Sequence, residues 1–214
     1  MIGPLPPQLK MRISKILATS MMMTVLAQST SAQNITLFDF TKADNVHQWS
    51  EISDTVRTVG MSKAALTLQK TQVFQRGVFF TLLNPQPNGA GFAGVRAPTN
   101  WNLTDYRNIE IKCRGQGANS HYKVVLRHKG LSQNDEISYE QFFTVPLLME
   151  EFSTISLPLV DFKPYFRGRE KPDAEPLDTS RITMFGLQVY GGVYSTFKQK
   201  GVSSLEVETI VATT

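Results

Sequence analysis

Ile109-Glu110-Ile111-Lys112-Cys113-Arg114 alternates strictly between apolar and charged side chains, which places Ile109, Ile111 and Cys113 on one face of an extended chain. Period two marks a strand with one buried face; in a helix the same residues would be scattered around the circumference. Outward from this stretch the pattern recurs. Tyr122, Val124 and Leu126 oppose Lys123, Val125 and Arg127, and near the C-terminus Leu205, Val207 and Thr209 alternate with Glu206 and Glu208. Runs rich in Val, Ile, Phe, Tyr and Thr fall at residues 35–40, 65–70, 73–83, 92–96, 139–145, 153–157 and 182–190, which brings the strand candidates to about ten. Gly, Pro and Asn punctuate them, most plainly at Asn84-Pro85-Gln86-Pro87-Asn88-Gly89, Gly115-Gln116-Gly117 and Gly191-Gly192. No stretch after residue 32 carries three turns of amphipathic helix. Many short antiparallel strands within a 214-residue chain predict an all-β domain, a sandwich or barrel, over residues 34–212.

The N-terminus has a different character. No acidic residue precedes Asp39; Lys10, Arg12 and Lys15 lead into an apolar run from Ile16 to Ala27, and Thr30-Ser31-Ala32 puts small residues where a signal peptidase cuts. At about 12 residues the run is short of the roughly 20 that span a bilayer, so no transmembrane segment is expected in the mature chain. Residues 1–32 read as a cleavable secretory leader, with Met11 as good a start as Met1. A mitochondrial transit peptide is the competing reading. Such peptides are also acid-poor, but the single Arg and the unbroken apolar run favour secretion. Two sequons, Asn34-Ile35-Thr36 and Asn102-Leu103-Thr104, are candidate glycosylation sites and point the same way. Cys113 is the one cysteine, so no intrachain disulfide forms and the core alone must hold the domain.

The leader also explains the charge. The chain carries 22 Lys+Arg against 18 Asp+Glu, a net of +4, but three of the cations and none of the anions precede residue 33. The remainder, with 19 basic and 18 acidic side chains, is nearly neutral. No dense basic run follows, so a nucleic-acid partner is excluded.

Catalytic signatures are absent: no phosphate-cradling Gly loop, no Gly-X-Ser-X-Gly elbow, no paired-His metal motif. Neither catalytic residue, metal site nor cofactor is expected. His47, His121 and His128 are scattered, although one strand could bring His121 and His128 toward each other. Cys113 reads as a small buried hydrophobe. Carboxylates such as Asp54, Glu110, Glu140, Glu150 and Glu151 cannot be paired from sequence into the acid–base couple of a glycosidase. Aromatics are more suggestive, with Trp49, Trp101, Tyr106, Tyr139, Phe142, Phe143, Tyr165, Phe166, Tyr190 and Tyr194 available as stacking platforms. Phe142 and Phe143 point to opposite faces, so one belongs to the core. The run Phe162-Lys163-Pro164-Tyr165-Phe166-Arg167-Gly168-Arg169 reads as an irregular loop exposing guanidiniums beside aromatics, the usual anchors of protein interfaces.

Taken in order, the segments LFDF (37–40), WSEISDT (49–55) with Gly60 and Ser62, GFAGVR (91–96), Asp105-Tyr106, IEIKCRGQG (109–117), YEQFFTV (139–145), EFSTISLPLVDFKPYFRGR (151–169), RITMFGLQVYGG (181–192) and SSLEVETIV (203–211) resemble the complex I intermediate-associated protein 30 family. Departures are Val59-Gly60-Met61 for a Gly-Gly pair, Ala93 for Ser, Gln116 for an acidic residue and Phe152 for Trp. The resemblance implies a galactose-binding-like jelly-roll β-sandwich without enzymatic activity. It implies a protein-binding, chaperone-like role in assembling respiratory complex I; the alternative is a secreted glycoprotein of the same family that binds glycans or an extracellular protein. Candidate ligand or partner contacts are Trp49, Asp54, Arg96, Arg114, Tyr165, Phe166, Arg167 and Arg169.

Overall fold

The structure, a computed structural model, describes residues 1, 3, 33–131, 136–146 and 150–214. The expected leader, apart from Met1 and Gly3, lies outside the described residues. Strands are β1 (Ile35–Asp39), β2 (Ser50–Glu51), β3 (Lys63–Lys70), β4 (Gln75–Leu83), β5 (Phe92–Trp101), β6 (Asn108–Gly117), β7 (His121–His128), β8 (Ser138–Thr144), β9 (Ser153–Pro158), β10 (Lys163–Phe166), β11 (Arg169–Glu170), β12 (Ile182–Tyr190) and β13 (Gly201–Thr213). Single 3-10 turns at Asp54–Val56 and Leu159–Asp161 are the only helical segments among the described residues, and no helix there is long and apolar enough to cross a membrane.

The strands form two antiparallel sheets, a six-stranded one ordered β3-β4-β13-β6-β9 and a seven-stranded one ordered β11-β10-β8-β7-β12-β5-β2. β13 is the spine of the first. β6 pairs with it from Ser203 to Thr213, while its other edge is shared, β4 taking Gly201–Val207 and β1 taking Thr209–Ala212. Because the chain crosses from one sheet to the other after β1, β2, β4, β5, β6, β8, β9 and β12, the result is a jelly-roll sandwich.

The alternation seen in sequence fills the space between the sheets. Ile109, Ile111 and Cys113 of β6 face Tyr122, Val124 and Leu126 of β7 and Phe185, Leu187 and Val189 of β12, all fully buried. Each such side chain contributes about 1.5–3 kcal/mol by leaving water. Burial pushes the Cys113 thiol up to about 12, which makes it an inert core residue. Phe143 is likewise core, while Phe142 is exposed on the opposite face.

The structure departs from the sequence reading at four places. The alternation of β13 breaks at Glu208, where a β-bulge shifts the register between Val207 and Thr209. The extra residue turns Ile210 and Ala212 inward instead of Thr209. The run expected from residue 73 starts at Gln75, because the Thr71 hydroxyl accepts from the backbone N–H groups of Val73 and Phe74 and bends them into a turn. Segment 162–169 contains β10 and opens a hairpin to β11, with Tyr165 opposite Glu170 and Phe166 opposite Arg169. Its two turn residues, Arg167 and Gly168, have φ of 51° and 77°, the left-handed pair of a type I′ turn. Finally, His121 and His128 lie at opposite ends of β7; His121 stacks on Phe197 at 3.9 Å and His128 packs on Tyr139 at 4.7 Å.

His128 is wholly buried, and its Nδ1 accepts from the backbone N–H of Asp178 at 2.7 Å. That bond requires the neutral ring to carry its proton on Nε2, which faces the Tyr139 hydroxyl and the Glu175 carboxylate. Burial lowers the pKa below the ordinary 6.5 despite Glu175 and Asp178, with Lys129 adding to the effect. The folded state therefore binds the proton less readily than the unfolded chain. The stability it confers is full above about pH 6.5 and is lost as pH falls below that value toward the folded pKa. Urea midpoints should drop between about pH 7 and 5.5, and the drop should flatten in His128→Asn, whose amide oxygen can replace Nδ1 as acceptor. An unchanged slope would assign the effect elsewhere.

Candidate functional site

Lys123, Val125, Arg127 and Glu140 point away from the core, yet each is under 9% exposed. The outer face of the seven-stranded sheet is therefore recessed. It forms a groove of about 950 Å³, within the range of small-ligand and peptide sites. The floor comes from alternate positions of the central strands: Arg96 on β5, Lys123 to Arg127 on β7, Glu140 on β8 and Gly186 to Gln188 on β12. Aromatic edges rise around it from Phe92, Phe142, Tyr165, Tyr190 and Tyr194. The Phe142 ring stands edge-on to Tyr165 at 5.6 Å and to Tyr190 at 5.1 Å.

Across the floor Lys123 Nζ donates to Glu140 at 2.6 Å, and Ser138 Oγ donates to the other carboxylate oxygen at 3.0 Å. Burial, with Glu140 nearby, pushes the Tyr190 hydroxyl up to about 12 and raises that of Tyr165. Both therefore remain protonated donors at neutral pH. The hairpin β10–β11, at one edge of the sheet, reaches the loop after β12: Arg169 Nε donates to the Tyr194 hydroxyl at 3.0 Å. β7 and β8 separate β10 from β12 in the sheet, so this contact spans two strands.

The candidates from sequence fall into distinct places. Arg96, Tyr165 and Arg167 line the groove, and Arg169 secures Tyr194 at its rim. Phe166 lines a separate cavity of about 390 Å³ beside His128 and Tyr139. Trp49 packs into an aromatic cluster, 4.7 Å from Phe38 and 6.0 Å from Phe185. Asp54 is buried and accepts from Ser62 N at 2.8 Å, Ser62 Oγ at 2.7 Å and Phe92 N at 3.3 Å. It ties the β2–β3 connection to the start of β5. A Cβ on Gly60 would lie 1.9 Å from the Asp54 carbonyl oxygen, so that turn has no room for a side chain at this position.

Arg114 sits on the far side of the sandwich, on the outer face of the six-stranded sheet. There the Glu206 carboxylate accepts from Arg76 Nη1, from Arg114 Nη2 at 2.9 and 3.0 Å and from Gln116 Nε2 at 2.7 Å. The Phe152 ring lies 5.1 Å from each guanidinium. An acidic residue at 116 would set two carboxylates together, so Gln116 fits its surroundings. Both sequon residues, Asn34 and Asn102, are exposed. Among the described residues no three His, Cys, Asp or Glu side chains are grouped to hold a metal ion.

Lys123, Arg127 and Gln188 were not singled out in the sequence as ligand contacts, and Glu140 was named only as a carboxylate that sequence could not pair. The available signal was the second face of β7, where Lys123 and Arg127 flank Val125 opposite a wholly apolar face.

Arg167 holds a left-handed conformation that costs a non-glycine residue about 1–2 kcal/mol. Asn tolerates it better and would create the Asn-Gly pair preferred in such turns. Arg167→Asn should raise stability by about 1 kcal/mol, seen as a melting-point gain of about 3 °C. No gain would mean that the guanidinium, 5.1 Å from the Phe166 ring, recovers the strain.

Two antiparallel sheets with a recessed outer face form a galactose-binding-like jelly-roll β-sandwich, a fold shared with solved carbohydrate-binding modules. The family 11 carbohydrate-binding module of Clostridium thermocellum, in complex with a β-1,3-1,4-mixed-linked tetrasaccharide, superimposes with a TM-score of 0.59 at 15% identity, covering 84% of this chain and 95% of that one. The same module of the cellulase Lic26A-Cel5E gives 0.61 at 14% identity over 86% and 96%. The family 30 module of the Clostridium thermocellum cellulase Cel9D-Cel44B gives 0.53 at 11% over 85% and 98%. Within that fold class, the chain belongs to the complex I intermediate-associated protein 30 family, whose profile matches residues 38–207. An uncharacterized protein of Schizosaccharomyces pombe is 30% identical over 162 residues, 70% of this chain and 73% of that protein.

Proposed function

We propose that the chain is a non-catalytic binding protein that holds a partner polypeptide in the groove, in the complex I assembly role named by its family. The observation that carries this reading is the meeting of Arg96, Arg167, Tyr165, Tyr190 and Phe142 in one recessed face. Arg and aromatic side chains are the types that dominate protein-interface energetics. The role requires import into mitochondria, so the leader then acts as a transit peptide. Tagged full-length protein should localise to mitochondria, show no mobility shift with endoglycosidase, and co-purify complex I subunits. Phe142→Ala with Tyr165→Ala should abolish that co-purification without loss of folding. Complex I subunits recovered equally with the double variant would count against the groove.

A second reading is a secreted glycoprotein binding a glycan in the same groove. It is favoured by the likeness to the family 11 module in complex with a tetrasaccharide and by the exposed Asn34 and Asn102. Secretion with an endoglycosidase-sensitive shift, and retardation in a gel containing mixed-linkage β-glucan, would select it.

A further inference from the structure

The groove selects by charge as well as by shape. Its described lining residues include five cations, Arg57, Arg96, Lys123, Arg127 and Arg167, and one carboxylate, Glu140. After residue 32 the chain holds 19 basic and 18 acidic side chains, so this imbalance is not inherited from composition. The fold collects it from segments far apart in sequence.

The cations divide by position. On the floor Lys123 is committed to Glu140 at 2.6 Å, and Arg127 Nη1 donates to the carbonyls of Glu136 and Ile137 at 3.0 and 3.1 Å. Arg57 and Arg167 are exposed at the rim, and neither has a carboxylate within ion-pair distance among the described residues. They stand at opposite edges of the sheet: Arg57 follows β2, and Arg167 is in the turn after β10. Four strand spacings separate β10 from β5, roughly 20 Å, which an extended peptide of about six residues covers. Between the two arginines lie Tyr165, Phe142 and Tyr190.

Resting on the reading that the groove takes a polypeptide, we infer that its ligand is an extended acidic segment of at least about six residues. Its carboxylates meet Arg57 and Arg167 at the two edges, and its apolar or aromatic side chains meet the rings between them. Carboxylate–guanidinium pairs supply charge-assisted hydrogen bonds and steer the encounter, so the interaction weakens as salt screens it.

The test uses the full chain and a labelled eight-residue peptide with two Glu at each end and Tyr between, beside its Gln-for-Glu counterpart. The acidic peptide should bind about tenfold more tightly at low salt and lose most of that advantage by about 300 mM NaCl. Arg57→Gln with Arg167→Gln should weaken it about tenfold and flatten the salt dependence, with the far-UV spectrum unchanged because both side chains are exposed. Equal binding of the two peptides, or no binding of the acidic one, overturns the inference. If binding is equal and Phe142→Ala with Tyr165→Ala weakens both peptides, the charge inference fails while the groove reading stands. A polygalacturonate oligomer or a single-stranded oligonucleotide binding more tightly than the acidic peptide would overturn both.

Discussion

Glu206→Gln is expected to destabilise the domain by about 3–5 kcal/mol, the cost of removing the one carboxylate that, among the described residues, pairs with both arginines of a buried charged cluster. The Glu206 carboxylate holds Arg76 and Arg114 at once, with side-chain exposures of 9%, 11% and 21% in that order. Gln preserves the shape and one acceptor oxygen, so the loss isolates charge: two guanidiniums left facing each other, away from bulk water. The Phe74 ring, 3.7 Å from the Arg76 guanidinium, and Phe152 below both arginines restrict relaxation of the pair. Arg114 is the partner able to turn toward solvent, which places the effect nearer the lower bound. The cluster joins β4, β13 and β6, the middle of the six-stranded sheet, so the change should unfold the whole domain cooperatively. The urea midpoint should fall with the slope unchanged, and the melting temperature by about 10 °C. Arg114→Met, which leaves Arg76 and Glu206 paired, should cost clearly less. Equal losses from the two variants would contradict this division.

The sandwich was legible because its information is local. Alternation in β6 and β7 and the Gly/Pro punctuation between strands are consequences of burying one face, and these determine strand positions without knowledge of the partners. The hairpin at Lys163–Glu170 was not legible, since a non-glycine residue in a left-handed turn is contrary to local preference. Nor was the bulge at Glu208, whose extra residue is defined against β6. The groove was harder still. Arg96 and Tyr165 are 69 positions apart in the chain, and only the pairing order of the sheet brings them to one face. Trp49 and Arg114 looked equally suited to a ligand, but tertiary packing gave the first to an aromatic cluster against the core and the second to Glu206. Charge followed the same rule: a nearly neutral domain gave no hint that cations would outnumber anions in one recess.

Glu140 offers the second large effect, and there stability and affinity should move in opposite directions. Its carboxylate holds Lys123 at 2.6 Å, with side-chain exposures of 6% and 10%. Glu140→Gln removes the partner of a buried ammonium that shares its floor with Arg96 and Arg127. A loss of about 3 kcal/mol is expected, reduced to the extent that water in the groove solvates the amine. Lys123→Met with Glu140→Met removes both charges and should recover most of that loss, because an apolar pair avoids the desolvation penalty. A double variant no more stable than Glu140→Gln would show that the hydrogen bond from Ser138, at 3.0 Å, carries the effect instead. Binding separates the two roles of the carboxylate. Within the described groove it is the one anion facing an incoming acidic segment, so Glu140→Gln should bind the Glu-rich peptide about threefold to tenfold more tightly even as the fold weakens. The Gln-for-Glu peptide should gain nothing. If both peptides instead bind less well in proportion to the lost stability, Glu140 serves the groove by shaping it, and the charge of the recess is a by-product of that shape.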